Sequence, residues 1–176
     1  MNEIIRQLIS EENIDRRVSE LAEEIMHDFE GKPITLICVL KGGIFFMVDL
    51  AKKLKMAVEF DFMDISSYGD SAVSSGHIKI NKDLEYSITG KNVLLVEDII
   101  DTGQTMVHVL AHLRMQKPNI LKVCTLLDKP ERRKVQGADV DYIGFTIPDE
   151  FVVGYGLDYA QRYRNLPYIG ILKLEQ

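Results

Sequence analysis

The sequence predicts an α/β fold: a central, mostly parallel sheet flanked by helices. Two observations carry this. The segments "ITLICVL" (34–40), "VLLV" (93–96) and "LKVCTLL" (121–127) are continuously apolar or β-branched over strand lengths, as strands covered on both faces are. Between them, "IFFMVDLAKKL" (44–54) and "MVHVLAHLRMQ" (106–116) read as helices. Strand and helix in alternation describe βαβ units. No repeat, low-complexity stretch or Pro/Gly/Ser linker divides the chain, so residues 1–176 are expected to form one domain.

Element by element, Ile14, Val18, Leu21, Ile25 and Phe29 recur at helical spacing and stop at Gly31. "PITLICVL" (33–40) is a strand, and a helix follows Lys41-Gly42-Gly43. "MAVEFDFM" (56–63) returns as a strand. "DISSYGDSAVSSGHIKI" (64–80) is small and polar, a loop or loose hairpin arm. "KNVLLVED" (91–98) and "ILKVCTLLDK" (120–129) are strands on either side of the 106–116 helix. Short strands "YIGFTI" (142–147), "FVVGYG" (151–156) and "YIGILKL" (168–174) complete the chain.

Composition bounds the function. At 46% hydrophobic and 27% charged residues the chain reads as a soluble globular protein, with no apolar run near the roughly 18 residues of a membrane span. "MNEIIRQLISEENIDRR" lacks the apolar region of a signal peptide, so a cytoplasmic location is expected. Cys38 and Cys124 lie in apolar runs and read as buried, inert thiols. A net charge of -6 argues against nucleic acid as a partner. An anionic ligand would then need local basic groups, backbone N–H groups or a metal.

One stretch is built to hold such a ligand. In "VLLVEDIIDTGQTM" (93–106), Glu97 and Asp98 fall at the carboxyl end of a buried strand, where open α/β sheets bind their ligands. Thr102, Gly103, Gln104 and Thr105 can present successive N–H groups and two hydroxyls at a helix N-terminus, a site for a phosphate. Carboxylates repel phosphate, so Glu97 and Asp98 must face sugar hydroxyls or a divalent cation. Together they ask for a sugar phosphate. A plainer reading, solvated turn acids beside an N-cap, leaves two acids abutting an apolar strand unexplained. GxxxxGK[ST], a helix-opening GxGxxG, HExxH and GxSxG are all missing.

"VLLVEDIIDTGQT" resembles the phosphoribosyl-pyrophosphate signature of the type I phosphoribosyltransferases. "LKGG" (40–43), "SSYGDS" (66–71), "LLDKPERR" (126–133) and "IPDEFVVGYGLDYAQRYRNLPYIG" (147–170) narrow the resemblance to the hypoxanthine-guanine members, from about residue 10 to the C-terminus. That family's fold adds a small hood and a mobile loop arm to the sheet. Its activity would be Mg2+-dependent purine salvage, with phosphoribosyl pyrophosphate and a 6-oxopurine base as partners.

The resemblance implies a role at each matched position. Glu97 and Asp98 would bind the ribose hydroxyls, directly or through magnesium, and Asp101, Thr102, Gly103, Gln104 and Thr105 would hold the 5-phosphate. Asp101 would also approach N7 of the purine and share its proton, the one catalytic assignment. Leu40, Lys41 and Gly42 would form the pyrophosphate loop, whose Leu-Lys peptide can be cis. Lys129 would donate to the purine O6, Phe151 would stack on the ring, and Val152 would meet its edge through its backbone. Asp158 would hold a second magnesium and Arg164 would reach the pyrophosphate. Ser67 and Tyr68 lie in the arm that closes over the reaction centre.

Two positions depart from the broader pattern: Glu150, where some members carry a basic residue, and Gly43, where some carry Ser. The first leaves the hypoxanthine-versus-guanine preference open. His27, His77, His108 and His112 receive no catalytic role. A homodimer or homotetramer is expected, with "GIFFMVDL" (43–50) a candidate for its interface. A phosphoribosyl-site regulator that binds nucleic acid and a pyrimidine-using transferase are the alternative readings. The first wants a basic face, and the second lacks a use for "LLDKPERR".

Overall fold

The computed structural model describes residues 2–67 and 78–175. Its centre is a six-stranded sheet of β2 (Ile34–Leu40), β3 (Val58–Ser67), β4 (Ile78–Lys82), β5 (Asn92–Ile100), β6 (Ile120–Asp128) and β7 (Tyr142–Thr146), in the order β4-β3-β2-β5-β6-β7. Every pairing is parallel except β3 with β4. A second, antiparallel sheet of β1 (Asn2–Ile9), β9 (Ile169–Glu175) and β8 (Val152–Val153), in the order β1-β9-β8, forms the hood.

The central strands read as continuous apolar runs because successive residues bury on opposite faces. Ile34, Leu36 and Cys38 of β2, with Leu94 and Val96 of β5, join one core with α1 (Glu11–Asp28) and α2 (Ile44–Lys53). Ile37 and Val39, with Val93 and Leu95, join another with α3 (Gln104–Met115). In α1, Ser10 accepts from the Asn13 N–H at 3.2 Å, and Glu11 and Glu12 occupy the first turn. Cap and charge both favour a helix start there.

From β2 the chain passes through α2 to β3 on one side; from β5 it passes through α3 to β6 on the other. The turns leaving β2 and β5 therefore diverge, which opens a crevice at the carboxyl ends of adjacent parallel strands. Pairing between these two strands ends at Cys38 with Val96, while β5 continues against β6 to Ile100.

Several expectations need correction. β5 does not stop at Asp98, so Glu97 and Asp98 lie in the strand beyond its β2 pairing rather than at its last residues. α3 starts at Gln104 rather than at 106. The strand expected over 151–156 is only Val152–Val153, because Gly154, Tyr155 and Gly156 turn at φ of 100°, 48° and 102°. The N-terminal strand β1 was not foreseen. The polar segment 64–80 is a hairpin arm at its flanks, Asp64–Ser67 pairing with Ile78–Lys82; residues 68–77, which include Tyr68 and His77, lie outside the described residues. No helix among the described residues is long and apolar enough to cross a membrane.

Phe46 of α2 is fully buried in the first core. Phe46→Ala should destabilise the protein by about 3–5 kcal/mol, read as a lower denaturant midpoint at unchanged slope.

Candidate active site

At the β2/β5 crevice three chain segments meet. The turn after β2 begins with a cis Leu40-Lys41 peptide and continues into Gly42. A Cβ on Gly42 would fall on the Asp98 carboxylate, and a Cβ on Gly156 would fall on the Gly42 carbonyl. Only glycine at both positions lets the β5 acid, the β2 turn and the hood loop pack this closely.

The hood loop brings Asp158 and Arg164 to the same place. Arg164 Nη2 lies 2.7 Å from Asp158 Oδ1, and its Nη1 donates to the Gly156 carbonyl at 2.6 Å. The Asp158 carboxylate also accepts from the Gln161 N–H at 2.8 Å, and Gln161 Oε1 accepts from Lys41 Nζ at 3.4 Å. Tyr155 donates to Asp49 of α2 at 2.7 Å, tying this loop to the helix that follows the β2 turn. Arg164 Nε is buried and has no hydrogen-bond partner among the described residues, an open donor suited to an oxyanion.

Glu97 is buried, and burial, then repulsion from Asp98, pushes its carboxyl well above the usual carboxylate range. Asp98 is raised by burial up to about 6; its own and the Ile99 backbone N–H groups and Arg164 oppose the rise, while Asp158 adds to it. A closely spaced acid pair short of counter-charge is a place for hydroxyl donors or a cation.

Beside the pair, a cleft of about 180 Å³ is lined by Val39, Glu97, Ile99, Ile100, Asp101, Thr102, Gly103, Thr105 and Met106. Gly103 sits at φ +82°, and a Cβ there would come within 2.8 Å of Ala138 Cβ. This left-handed turn aims the start of α3 at the cleft. First-turn N–H groups have no intrahelical partner; Gly103 offers α3 no side-chain cap, and Gln104 N–H donates to Thr102 Oγ1 at 3.4 Å, so the start of α3 has the character of an anion site.

The other wall descends from β6. Buried Lys129 donates to the Glu150 carbonyl at 2.7 Å and lies 3.7 Å from Asp149. Phe151 follows as an exposed residue (54%) with its ring edge-on to that of Tyr159 at 5.8 Å, and Val152 is buried. Asp101 accepts from Arg132 Nε at 2.8 Å. Arg132, Arg133 and Asp149 were not foreseen as site residues; the one sequence signal is the arginine pair in "PERR". Of the expected residues, Leu40, Lys41, Gly42, Asp98, Asp158 and Arg164 form one group. Glu97, Asp101, Thr102, Gly103, Gln104 and Thr105 form the next, and Lys129, Phe151 and Val152 the third. Ser67 closes β3.

The phosphoribosyl transferase domain model matches residues 6–160. The hypoxanthine-guanine phosphoribosyltransferase of Bacillus subtilis is 51% identical over 174 residues, covering 98% of this chain and 95% of its own. The chain belongs to the hypoxanthine-guanine phosphoribosyltransferase family. A crystal structure of a family member from Bacillus anthracis superimposes with a TM-score of 0.91 at 50% identity, covering 98% of this chain and 100% of that one. Bifunctional TilS/HprT proteins of Listeria monocytogenes are also 51% identical, over 99% of this chain, which spans 27% of their length. The phosphoribosyltransferase fold thus accounts for both sheets, the parallel core and the hood above it.

The acid pair gives this family member a pH-dependent stability. A carboxyl raised in the folded state stabilises that state only while protonated; for Asp98 the contribution is present below about pH 4 and lost as pH rises through about 6. Without ligand, Asp98→Asn should therefore be more stable than the parent at pH 8, by about 2–3 kcal/mol, with the gap closing by pH 4. Thermal midpoints at both pH values check it.

Proposed function

We propose that this chain, as one phosphoribosyltransferase domain over residues 1–176, transfers the 5-phosphoribosyl group from phosphoribosyl pyrophosphate to N9 of hypoxanthine or guanine. The products are the purine nucleotide, IMP or GMP, and pyrophosphate. The observation that carries this reading is the placement of three chemistries around one crevice: a helix-opening turn suited to phosphate, an acid pair whose Glu97 is buried, and a buried lysine just past a strand end.

In the proposed complex the 5-phosphate sits on the Thr102–Thr105 turn, and Glu97 and Asp98 face the ribose hydroxyls. Lys41, the turn at Leu40–Gly42 and the open Nε of Arg164 receive the pyrophosphate. Mg2+ fits the donor set, which is hard carboxylate oxygen: Glu97 and Asp98 on the ribose side and Asp158 on the pyrophosphate side. Mg2+ keeps several waters and substrate phosphates in its shell and asks for only one or two protein carboxylates. When bound, Mg2+ would neutralise the charge that accumulates on the leaving pyrophosphate.

Lys129 turns its ammonium to the purine O6, where hypoxanthine and guanine present an acceptor and adenine presents an amino group. Phe151 offers its exposed face to the ring, and Val152 its backbone to the edge. Asp101 shares the N7 proton as N9 attacks C1 of the ribose, so positive charge on the base is relieved as the new bond forms. The Ser67–Tyr68 arm would exclude water from the reacting carbon.

The exposed α2 stripe of Ile44, Phe45 and Val48 supports a homodimer or homotetramer. Buried free thiols, with Cys38 pushed up to about 12 by burial and the two acids, suit a cytoplasmic protein. A regulator that binds nucleic acid is disfavoured by 21 basic against 27 acidic residues.

Pyrophosphate release, with hypoxanthine, guanine, xanthine, adenine, uracil and orotate offered in parallel, tests the reading. Turnover is expected with hypoxanthine or guanine and its loss with EDTA; tight donor binding without turnover on any base would mean a sensor instead. Asp101→Asn should lower turnover about 10²–10⁴-fold with the fold intact, and parent-like turnover would remove its role. Lys129→Ala should raise the KM for 6-oxopurines far more than that for the sugar donor. Equal losses would mean the base binds elsewhere.

A further inference from the structure

Asp101 is gripped twice by one short turn. Pro130–Arg132 forms a single 3₁₀ turn after β6, closed by Arg132 N–H to the Lys129 carbonyl and Arg133 N–H to the Pro130 carbonyl, both at 3.1 Å. The turn is tied to β5 and its loop on either side: Lys129 N–H donates to Ile100 O and Lys134 N–H to Thr102 O, each at 3.0 Å. Arg133 Nη1 reaches the Asp101 carbonyl at 3.3 Å, and its Nη2 is anchored on buried Asp128 at 2.5 Å. Arg132 Nε takes the Asp101 carboxylate at 2.8 Å, and its Nη1 reaches Asp149 Oδ2 at 3.3 Å. The other Asp149 oxygen lies 3.7 Å from Lys129 Nζ.

We infer that Arg132 is a positioning residue of the reaction: its guanidinium holds the Asp101 carboxylate and, through Asp149, sets it in register with Lys129. This rests on the function proposed above, in which Asp101 meets the purine N7 and Lys129 the purine O6. Those atoms are neighbours on one edge of the ring, so their protein partners must be held at a matching separation. The alternation Asp101, Arg132, Asp149, Lys129 does this with opposite charges, and the rigid guanidinium fork spans two carboxylates where a lysine ammonium would serve one at a time. Arg132, Asp101 and Asp149 are each at least 40% exposed at their side chains, and exposed ion pairs add little to stability. Arg132 can therefore be replaced without unfolding the protein, and its contribution falls on turnover.

A double-mutant cycle on the full chain decides the matter. Arg132→Met should lower kcat with hypoxanthine about 10- to 100-fold, the scale of a misplaced reacting group. The KM for phosphoribosyl pyrophosphate and the thermal midpoint should stay close to the parent's. Arg132→Lys should recover part of the loss. In an Asp101→Asn background Arg132→Met should cost nothing further, since the group it positions is gone. Parent-like turnover of Arg132→Met, or losses that multiply in the double variant, would overturn the inference while leaving the proposed function standing. If Asp101→Asn turns over like the parent, the role given to Asp101 falls and takes this inference with it; if the parent uses neither hypoxanthine nor guanine, the proposed function falls as well. Should Arg132→Met fail to fold, Asp149→Asn releases the other end of the fork and should show a smaller loss, also absent in the Asp101→Asn background.

Discussion

The active-site crevice depends on two side chains that are not there. Gly42 lies against the Asp98 carboxylate, and Gly156 lies against the Gly42 carbonyl. A methyl group at either position would push apart segments that belong to β5, to the turn after β2 and to the hood loop. Those segments carry Asp98, Lys41, and Asp158 with Arg164. The parallel sheet supplies the diverging turns, but the contact between core and hood is made at these glycines, and the Tyr155–Asp49 hydrogen bond secures it from the α2 side.

That closeness makes the site electrostatically expensive. Glu97 and Asp98 are drawn out of water next to each other, with Asp158 nearby, and Arg164 is the cation that acts on Asp98. Protonation is the escape open to such a pair, which is why both carboxyls rise rather than fall. Arg164 meanwhile keeps one buried donor without a partner among the described residues. A core selected for stability would tolerate neither. Sites that bind charged ligands break local rules in this way; here the rules broken are those a sugar, a cation and a pyrophosphate would mend.

What could be read from the sequence was what is local. "VLLVEDIIDTGQT" carries strand, acids, turn and helix start within thirteen residues, and the structure keeps them as one continuous unit. β1 was hidden because its partner β9 lies at the opposite end of the chain, and "NEIIRQLI" has no clean period to announce a strand. The end of β8 falls at Gly154 and Gly156, turn signals that the expected 151–156 strand ran through, and Tyr155 between them takes a positive φ that its own residue type does not signal. Arg132 is 31 residues from the carboxylate it holds, and an arginine in a charged turn looks like any solvated cation. Lys129 could be assigned only through the resemblance; its burial is a tertiary fact.

Burial is also what would make Lys129 a selector in the proposed function. An ammonium with little access to water must find acceptors for its donors or lose charge. The described protein offers the Glu150 carbonyl at 2.7 Å and, more distantly, Asp149. A 6-oxopurine would add an oxygen to that set, while an adenine amino group would bring another donor to a buried cation and leave it unpaired. Discrimination of this kind is steep, because the penalty for an unmet buried charge is larger than the gain from one more hydrogen bond. The lysine directly follows the last residue of β6, and its backbone N–H is fixed on the β5 carbonyl of Ile100. A selector that could swing to solvent would find acceptors there and cease to tell the bases apart.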